Sequence, residues 1–371
     1  MHCIVFELPT GYGKSKEALE NIIRGDKGTL IVIPTVLMID NWKDEIKKWE
    51  NELELYFEKF EFSTYKGLNK MCGRTFDTVI FDECHHVTEF NLPFIEQIAC
   101  DKRILLSATI QRDKRDMINK LTKGHKSMFV KKYLNDATKE GRLPVPEIIK
   151  IPMTLDNTKR NVTYVFNEKG TSTMKFNSFG DKGRFKFMKN KNIRIEVACT
   201  QKEYYDQISE SIDYFKNNYM EDDTRPEWKK NVWLHKSMLR LKWLASQKNN
   251  IISEIMDKFS NKRMVLFLNS IEDTELYGNE INSKNKRSKE VLSDFNEGKI
   301  NYVSTCEMLN EGVNLVNCQI GIWQRLNSSE TITVQKIGRI LRHKKPILIF
   351  PYFADTREEE IVDSITDMFD K

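Results

Sequence analysis

Residues 3–15 read CIVFELPTGYGKS. Ile4, Val5 and Phe6 are apolar, a glycine-rich turn follows, and Lys14 and Ser15 open an amphipathic stretch. That order predicts a buried strand, a tight loop and a helix. Gly11 and Gly13 let the backbone turn so that its N–H groups face phosphate oxygens. The helix that follows points its positive end at the same place. Lys14 is placed to reach the β and γ phosphates of a nucleoside triphosphate, and the Ser15 hydroxyl to ligate Mg²⁺. Pro9, Thr10 and Tyr12 complete the loop. The strict spacing GxxxxGK[ST] asks for glycine at its first position, where this chain has Leu8.

The same alternation continues outward. Lys14 to Arg24 reads as a helix with Ala18, Leu19, Ile22 and Ile23 on one face. Thr29–Ile33 reads as a strand, Val36–Trp49 as a helix, Val79–Phe81 and Arg103–Leu106 as strands. Strands alternating with helices predict an α/β fold with a parallel sheet. Two prolines within Leu143-Pro-Val-Pro146 mark a linker. A second α/β pattern follows: strands at Met264–Leu268, Asn301–Thr305, Gln319–Trp323 and Pro346–Tyr352, helices at Lys284–Phe295 and Glu358–Phe369. The length of 371 residues suits two medium domains. We place them at 1–146 and 147–371. Between linker and second pattern, 159–198 reads as short strands and 201–259 as helical, with Trp228, Trp233 and Trp243 as core.

Composition excludes whole classes. The chain is 40% hydrophobic and 30% charged with net charge +5, ordinary for a globular protein and compatible with a polyanionic partner. Seven cysteines, an odd number with no CxxC pair, argue against a zinc ribbon or a disulfide framework and for a reducing cytoplasm. No apolar run is long enough for a membrane span.

A second cluster is Val79-Ile-Phe-Asp-Glu-Cys-His-His86. Acids at the carboxyl end of a buried parallel strand lie beside a phosphate loop. Asp82 is then the Mg²⁺ acid, acting through water. Glu83 orients and deprotonates the attacking water, and His85 is a coupling residue.

With this Asp-Glu-Cys-His added to the loop, the chain resembles superfamily 2 helicases of the DEAD/DEAH group. Ser107-Ala-Thr109 resembles motif III, and Ile33-Pro-Thr-Val-Leu37 with Asn41-Trp42 resembles motif Ia. Val265–Ser270 resembles motif IV, Thr305–Asn314 motif V, and Gln335-Lys-Ile-Gly-Arg-Ile-Leu-Arg342 motif VI. The resemblance spans residues 4 to 353. Its nearest branch includes phage recombination helicases and restriction-enzyme translocases, which have a helix like Leu239–Lys248 before motif IV. Together with Lys- and Asn-rich usage, this suits a phage or bacterial source.

The resemblance implies two tandem RecA-like domains with ATP and Mg²⁺ between them. The first supplies Lys14, Ser15, Asp82 and Glu83; the second supplies Gly312, Gln335, Arg339 and Arg342. It implies a nucleic-acid-stimulated ATPase moving on or unwinding DNA, RNA being the second choice because that branch mostly acts on DNA. An ATP-gated nucleic-acid clamp is the rival from another class. Thr35, Thr64, Ser270 and Thr305 are implied as phosphate contacts, which grip a strand without reading its sequence. Protein partners are not legible.

Asn314 stands where relatives commonly have Asp, and Lys336 where many have Arg. Almost no chain precedes the loop strand, so an adenine-reading glutamine segment is not expected. Purine preference should then be small, with Tyr12 available to stack the base. The insertion at 159–198 is the most individual feature. From Lys159 to Arg194, ten Lys or Arg face two acids, and six aromatics are interleaved. Basic residues with aromatics suit single-strand binding, with Lys175, Arg184 and Lys186 as candidate contacts. A small β subdomain with Phe inside is the structural alternative.

Overall fold

The computed structural model describes residues 2–36, 38–53, 59–110, 112–167, 184–187, 193–306, 315–327 and 329–370. Two six-stranded parallel sheets carry the fold. The first contains β1 (His2–Glu7), β2 (Thr29–Ile33), β3 (Phe60–Thr64), β4 (Thr75–Phe81), β5 (Ala99–Ser107) and β6 (Lys126–Lys131), in the order β3-β2-β4-β5-β1-β6. The second begins with β7 (Glu147–Met153). After the small antiparallel sheet β8 (Val162–Asn167), β9 (Arg184–Phe187) and β10 (Ile193–Cys199), it continues with β11 (Met264–Phe267), β12 (Glu280–Ile281), β13 (Tyr302–Thr305), β14 (Ile320–Trp323) and β15 (Ile347–Phe353). Its order is β12-β13-β11-β14-β15-β7.

Parallel strands covered on both faces are near-continuously apolar. All five residues of β2 and all four of β11 and β14 are buried. One apolar cluster runs from Ile4 and Phe6 through Leu134 and Leu143 to Val334, Ile337 and Leu341, so it joins the two sheets' territories.

Three boundaries differ from expectation for local reasons. Helix α1 (Lys14–Glu20) stops short of Arg24. Asn21 caps it, its Nδ2 donating to the Glu17 carbonyl at 2.9 Å, and the Ile23 amide leaves to bond Thr78 Oγ1 at 2.8 Å. The helix expected from Lys284 starts at Ser288. Asn282 Oδ1 accepts the amides of Lys284 and Asn285 at 2.9 and 2.8 Å and holds that stretch as a turn. The linker feeds directly into β7, a strand the sequence pattern hides. It is an edge strand, half exposed, with Pro152 inside it, and edges are where proline is tolerated.

Helices Gln201–Met220 and Glu227–Ser246 pack on each other. Trp243 lies 4.5 Å from Tyr204, but Trp228 is 57% exposed, which corrects its expected core role. Just beyond, Lys248 is fully buried. Its ammonium donates to Glu358 Oε1 at 2.6 Å and to the Gln324 carbonyl at 3.0 Å. This pair pins the helix entering the second sheet to the final helix, Arg357–Asp370. Removing one partner of such a pair costs about 3–5 kcal/mol.

Candidate active site

The residues expected from sequence converge on one cleft of about 710 Å³. The first sheet supplies Thr10, Gly11, Tyr12, Gly13, Lys14, Ser15, Asp82 and Glu83 to its lining; the second supplies Gln335, Arg339 and Arg342. Pro9 lies instead on a neighbouring cavity, with Ala108 and Thr109 of the motif III segment.

The loop after β1 turns through positive φ at Gly11 (90°) and Gly13 (104°), a region open to glycine. Gly13 sits at the N-cap of α1, so Lys14 and Ser15 begin the helix. β4 ends one residue before Asp82. Glu83 adopts φ 47°, left-handed backbone that costs a non-glycine residue about 1–3 kcal/mol. That twist brings the Glu83 carboxylate to Lys14, Nζ donating to Oε1 at 3.0 Å.

Asp82 is 7% exposed and held twice. Oδ1 accepts from the Glu83 amide at 3.0 Å, and Oδ2 from the Trp42 indole N–H at 2.9 Å. Burial first, and the Glu83 charge second, push its carboxyl up to about 6. A carboxylate has about four lone-pair sites, so two remain for metal-bound water. With Ser15 lining the same cleft, the donor set fits Mg²⁺, a hard cation that keeps waters.

His85 links this acid pair to motif III. Ser107 Oγ donates to the Thr109 carbonyl at 3.0 Å, which commits its one hydrogen. His85 Nδ1, 3.1 Å from Ser107 Oγ, therefore carries the proton, and it also lies 3.5 Å from Glu83 Oε2.

The second sheet's contribution comes from helix Glu330–Ile340. Gln335 and Arg339 are 3% and 4% exposed, and Gln335 Nε2 has no hydrogen-bond partner among the described residues. Arg342 follows the helix end and reaches the same cleft. Gly338 lies against the phosphate loop. A Cβ there would be 2.5 Å from the Thr10 carbonyl oxygen and 2.9 Å from its carbon, so only glycine permits this approach.

Family profiles match both halves. Residues 2–112 match the profile described as type III restriction enzyme, res subunit. Residues 247–344 match the helicase conserved C-terminal domain. The chain belongs to superfamily 2 of the helicases. Among curated relatives of this helicase, the DNA 3′-5′ translocase XPB2 of Sulfurisphaera tokodaii is 22% identical over 374 residues, covering 92% of this chain and 75% of the relative. Among solved structures, the Pyrococcus furiosus Hef helicase domain aligns with TM-score 0.49 and 14% identity, covering 98% of this chain and 95% of that one.

The nucleic-acid candidates fall at the carboxyl ends of parallel strands in this helicase. Thr35 is exposed just past β2, and Thr64 ends β3. Ser270 follows β11, but its hydroxyl caps the next helix, accepting the Asp273 amide at 3.1 Å. Thr305 ends β13 and is 2% exposed, its Oγ1 without a hydrogen-bond partner among the described residues. Arg184 and Lys186 lie on β9. Lys175 and Gly312, with motif V from residue 307, lie outside the described residues.

Sequence reasoning misses three things here. Asn41 and Trp42 read as part of a strand-contacting motif, yet both line the same cleft as Lys14 and Asp82. Arg142 lines it too, its guanidinium 4.6 Å over the Tyr12 ring and 3.2 Å from Glu17. Tyr12 is 7% exposed and donates to Glu140 at 2.8 Å. The Arg142 guanidinium thus lies over one face of the Tyr12 ring. Short-range patterns give no signal for a contact between residues 12 and 142.

Proposed function

We propose that this helicase is an ATP-dependent DNA translocase that hydrolyses Mg²⁺·ATP between units 1–146 and 147–371. The observation that carries the reading is the composite cleft, in which Gly338 meets the phosphate loop while Gln335 and two arginines face Lys14 and Glu83.

Each residue then has a physical task. Backbone N–H groups of 10–15 and the start of α1 receive the phosphates. Lys14 leaves Glu83 for the β and γ phosphates, since a phosphate carries more charge than one carboxylate. That exchange frees Glu83 to orient and deprotonate the attacking water. Ser15, and Asp82 through water, would hold Mg²⁺, which would supply positive charge against the phosphates. Gln335 places its unsatisfied amide near the attacking water. Arg339 and Arg342 bring fixed planar charge to the transferring phosphoryl group. Attack by water breaks the bond to the γ phosphorus and leaves ADP and phosphate.

Without the γ phosphate, the arginines lose their target and the two units part. Alternate gripping by Thr35 and Thr64 on one sheet, and by Ser270 and Thr305 on the other, then moves the strand. Lys175, Arg184 and Lys186 of the insertion add phosphate contacts. DNA is favoured by the activity in the relative's name, and its 3′-5′ direction is the expectation here.

The test is ATPase activity against single-stranded DNA and against RNA, beside strand displacement. DNA-stimulated turnover with directional movement is expected. DNA-stimulated turnover without movement would make the chain an ATP-gated clamp, and stimulation by RNA alone would make it an RNA remodeller.

A further inference from the structure

Helix α2 (Met38–Leu53) turns one face to the nucleotide cleft: Met38, Asn41, Trp42, Glu45, Lys48 and Trp49 line it at helical spacing. Its other end is built on the exposed loop before it. The Met38 amide bonds the Thr35 carbonyl at 3.1 Å, and the Ile39 amide bonds the Val36 carbonyl at 3.2 Å. Thr35 is exposed and Val36 is 64% exposed. Helix α2 thus touches the metal acid at Trp42, and its first turn, four residues and about 6 Å back along the axis at Met38, is hydrogen-bonded to the loop that carries the candidate strand contact at Thr35.

We propose that the Trp42 indole N–H, bonded to Asp82 Oδ2, is the positioning contact that transmits nucleotide occupancy along α2 to the strand-gripping loop at Thr35–Val36. This rests on the function proposed above. Trp42 is 4% exposed and sits 40 residues from Asp82 in sequence, so the bond is tertiary and dry. Buried hydrogen bonds are electrostatically strong. Metal-bound water on the remaining lone pairs of Asp82 would draw charge from the oxygen that the indole shares and so weaken that bond. A helix moves as a unit, so a shift at Trp42 reaches Met38 and Ile39 and, through their amides, the Thr35 and Val36 carbonyls. An indole engaged only in packing needs no acceptor; this one has an acceptor, and it is the carboxylate assigned to the metal.

Allosteric coupling is reciprocal in binding free energy, which gives a test independent of turnover. The affinity of an oligo-dT strand is measured by anisotropy with and without Mg²⁺ and a non-hydrolysable ATP analogue. The analogue's affinity is then measured with and without the strand. In the wild-type protein both ratios should agree and should be roughly fivefold or more, the lower range for such coupling. In Trp42→Phe, which keeps an aromatic ring and removes the N–H, both ratios should fall to under about twofold. Asp40→Gly softens the exposed side of α2 between Trp42 and Thr35 without touching the bond, and should lower both ratios as well. If Trp42→Phe does not fold, Asp40→Gly decides alone. Ratios equal to wild type in the folded variants overturn the proposal, as does a wild-type ratio of one. A wild-type protein that binds no strand or hydrolyses no nucleotide overturns the function on which it rests.

Discussion

The two walls of the cleft are finished to different degrees. On the first sheet's wall, Lys14 bonds Glu83, Trp42 and the Glu83 amide bond Asp82, and His85 bonds Ser107. On the second sheet's wall, Gln335 is as deeply buried as Asp82, yet its amide nitrogen has no partner among the described residues. A buried polar group without a partner costs about 1–3 kcal/mol. The first wall's lysine and acids hold one another without substrate, although Thr10 Oγ1 and Glu83 Oε2 also lack a hydrogen-bond partner among the described residues. The second carries a polar group whose satisfaction waits for one. Binding and catalysis should therefore separate between the walls.

That contrast breaks most sharply at the arginines. Arg339→Ala should lower kcat about 10³–10⁵-fold, the worth of a charge brought to a transferring phosphoryl group. Nucleotide binding should change far less, since the first wall stays intact. Equal losses in kcat and in analogue affinity would show that the walls are not divided this way. Glu83→Gln comes next, with a loss of about 10²–10⁴ in kcat for a missing general base. The amide keeps the shape but weakens the hold on Lys14, so analogue affinity should be retained or improved. Turnover close to wild type would remove Glu83 from the role of base.

Gly338→Ala tests the seam between the walls. The added methyl meets the Thr10 backbone. Misplacing a catalytic constellation by about 1 Å costs on the order of 10²-fold, and the loss should appear in turnover while thermal stability stays near wild type. A variant with normal turnover would mean that the closed contact is not the reactive one. The smallest effect lies outside the cleft. Replacing residues 160–194 by a Gly-Ser turn should lower the salt slope of single-strand binding by about 0.7 for each phosphate that the insertion neutralises, while basal ATPase survives. An unchanged slope over a salt series would leave the insertion a structural element.

The first wall is the more legible in sequence, for a physical reason. Phosphate loops and strand-end acids are local: glycine spacing, an apolar strand and a polar terminus lie within about ten residues of each other. Lys14, Ser15, Asp82 and Glu83 can be named from such windows, and the cleft holds all four. Gln335, Arg339 and Arg342 come from ordered motifs rather than from any local pattern. What escapes is tertiary. Trp42 reads as a strand-side residue because its neighbours Thr35 and Val36 belong to the same motif, and only the fold shows its indole turned toward Asp82. Edge strand β7 escapes because partial exposure and Pro152 erase the apolar run. Nor does the sequence show that Arg142, 130 residues away, lies over one face of the Tyr12 ring.

The short stretch 143–146 has a mechanical consequence. It joins a segment tied down at Ala137, whose carbonyl takes the amides of Arg142 and Leu143, to a strand laced into the second sheet. Four residues make a tether too short for the halves to drift apart, so their mutual effective concentration stays high and reopening is a pivot rather than a separation. Two of the four are prolines, each with φ held near −65°, so the rotation is left to very few bonds. Leu143, the first residue of this pivot, is 3% exposed, and a Cβ on Gly11 would lie 3.1 Å from its side chain. The axle of the machine thus lies close beside the loop assigned to the fuel, in one apolar cluster with Tyr12, so a swing of one half is felt there.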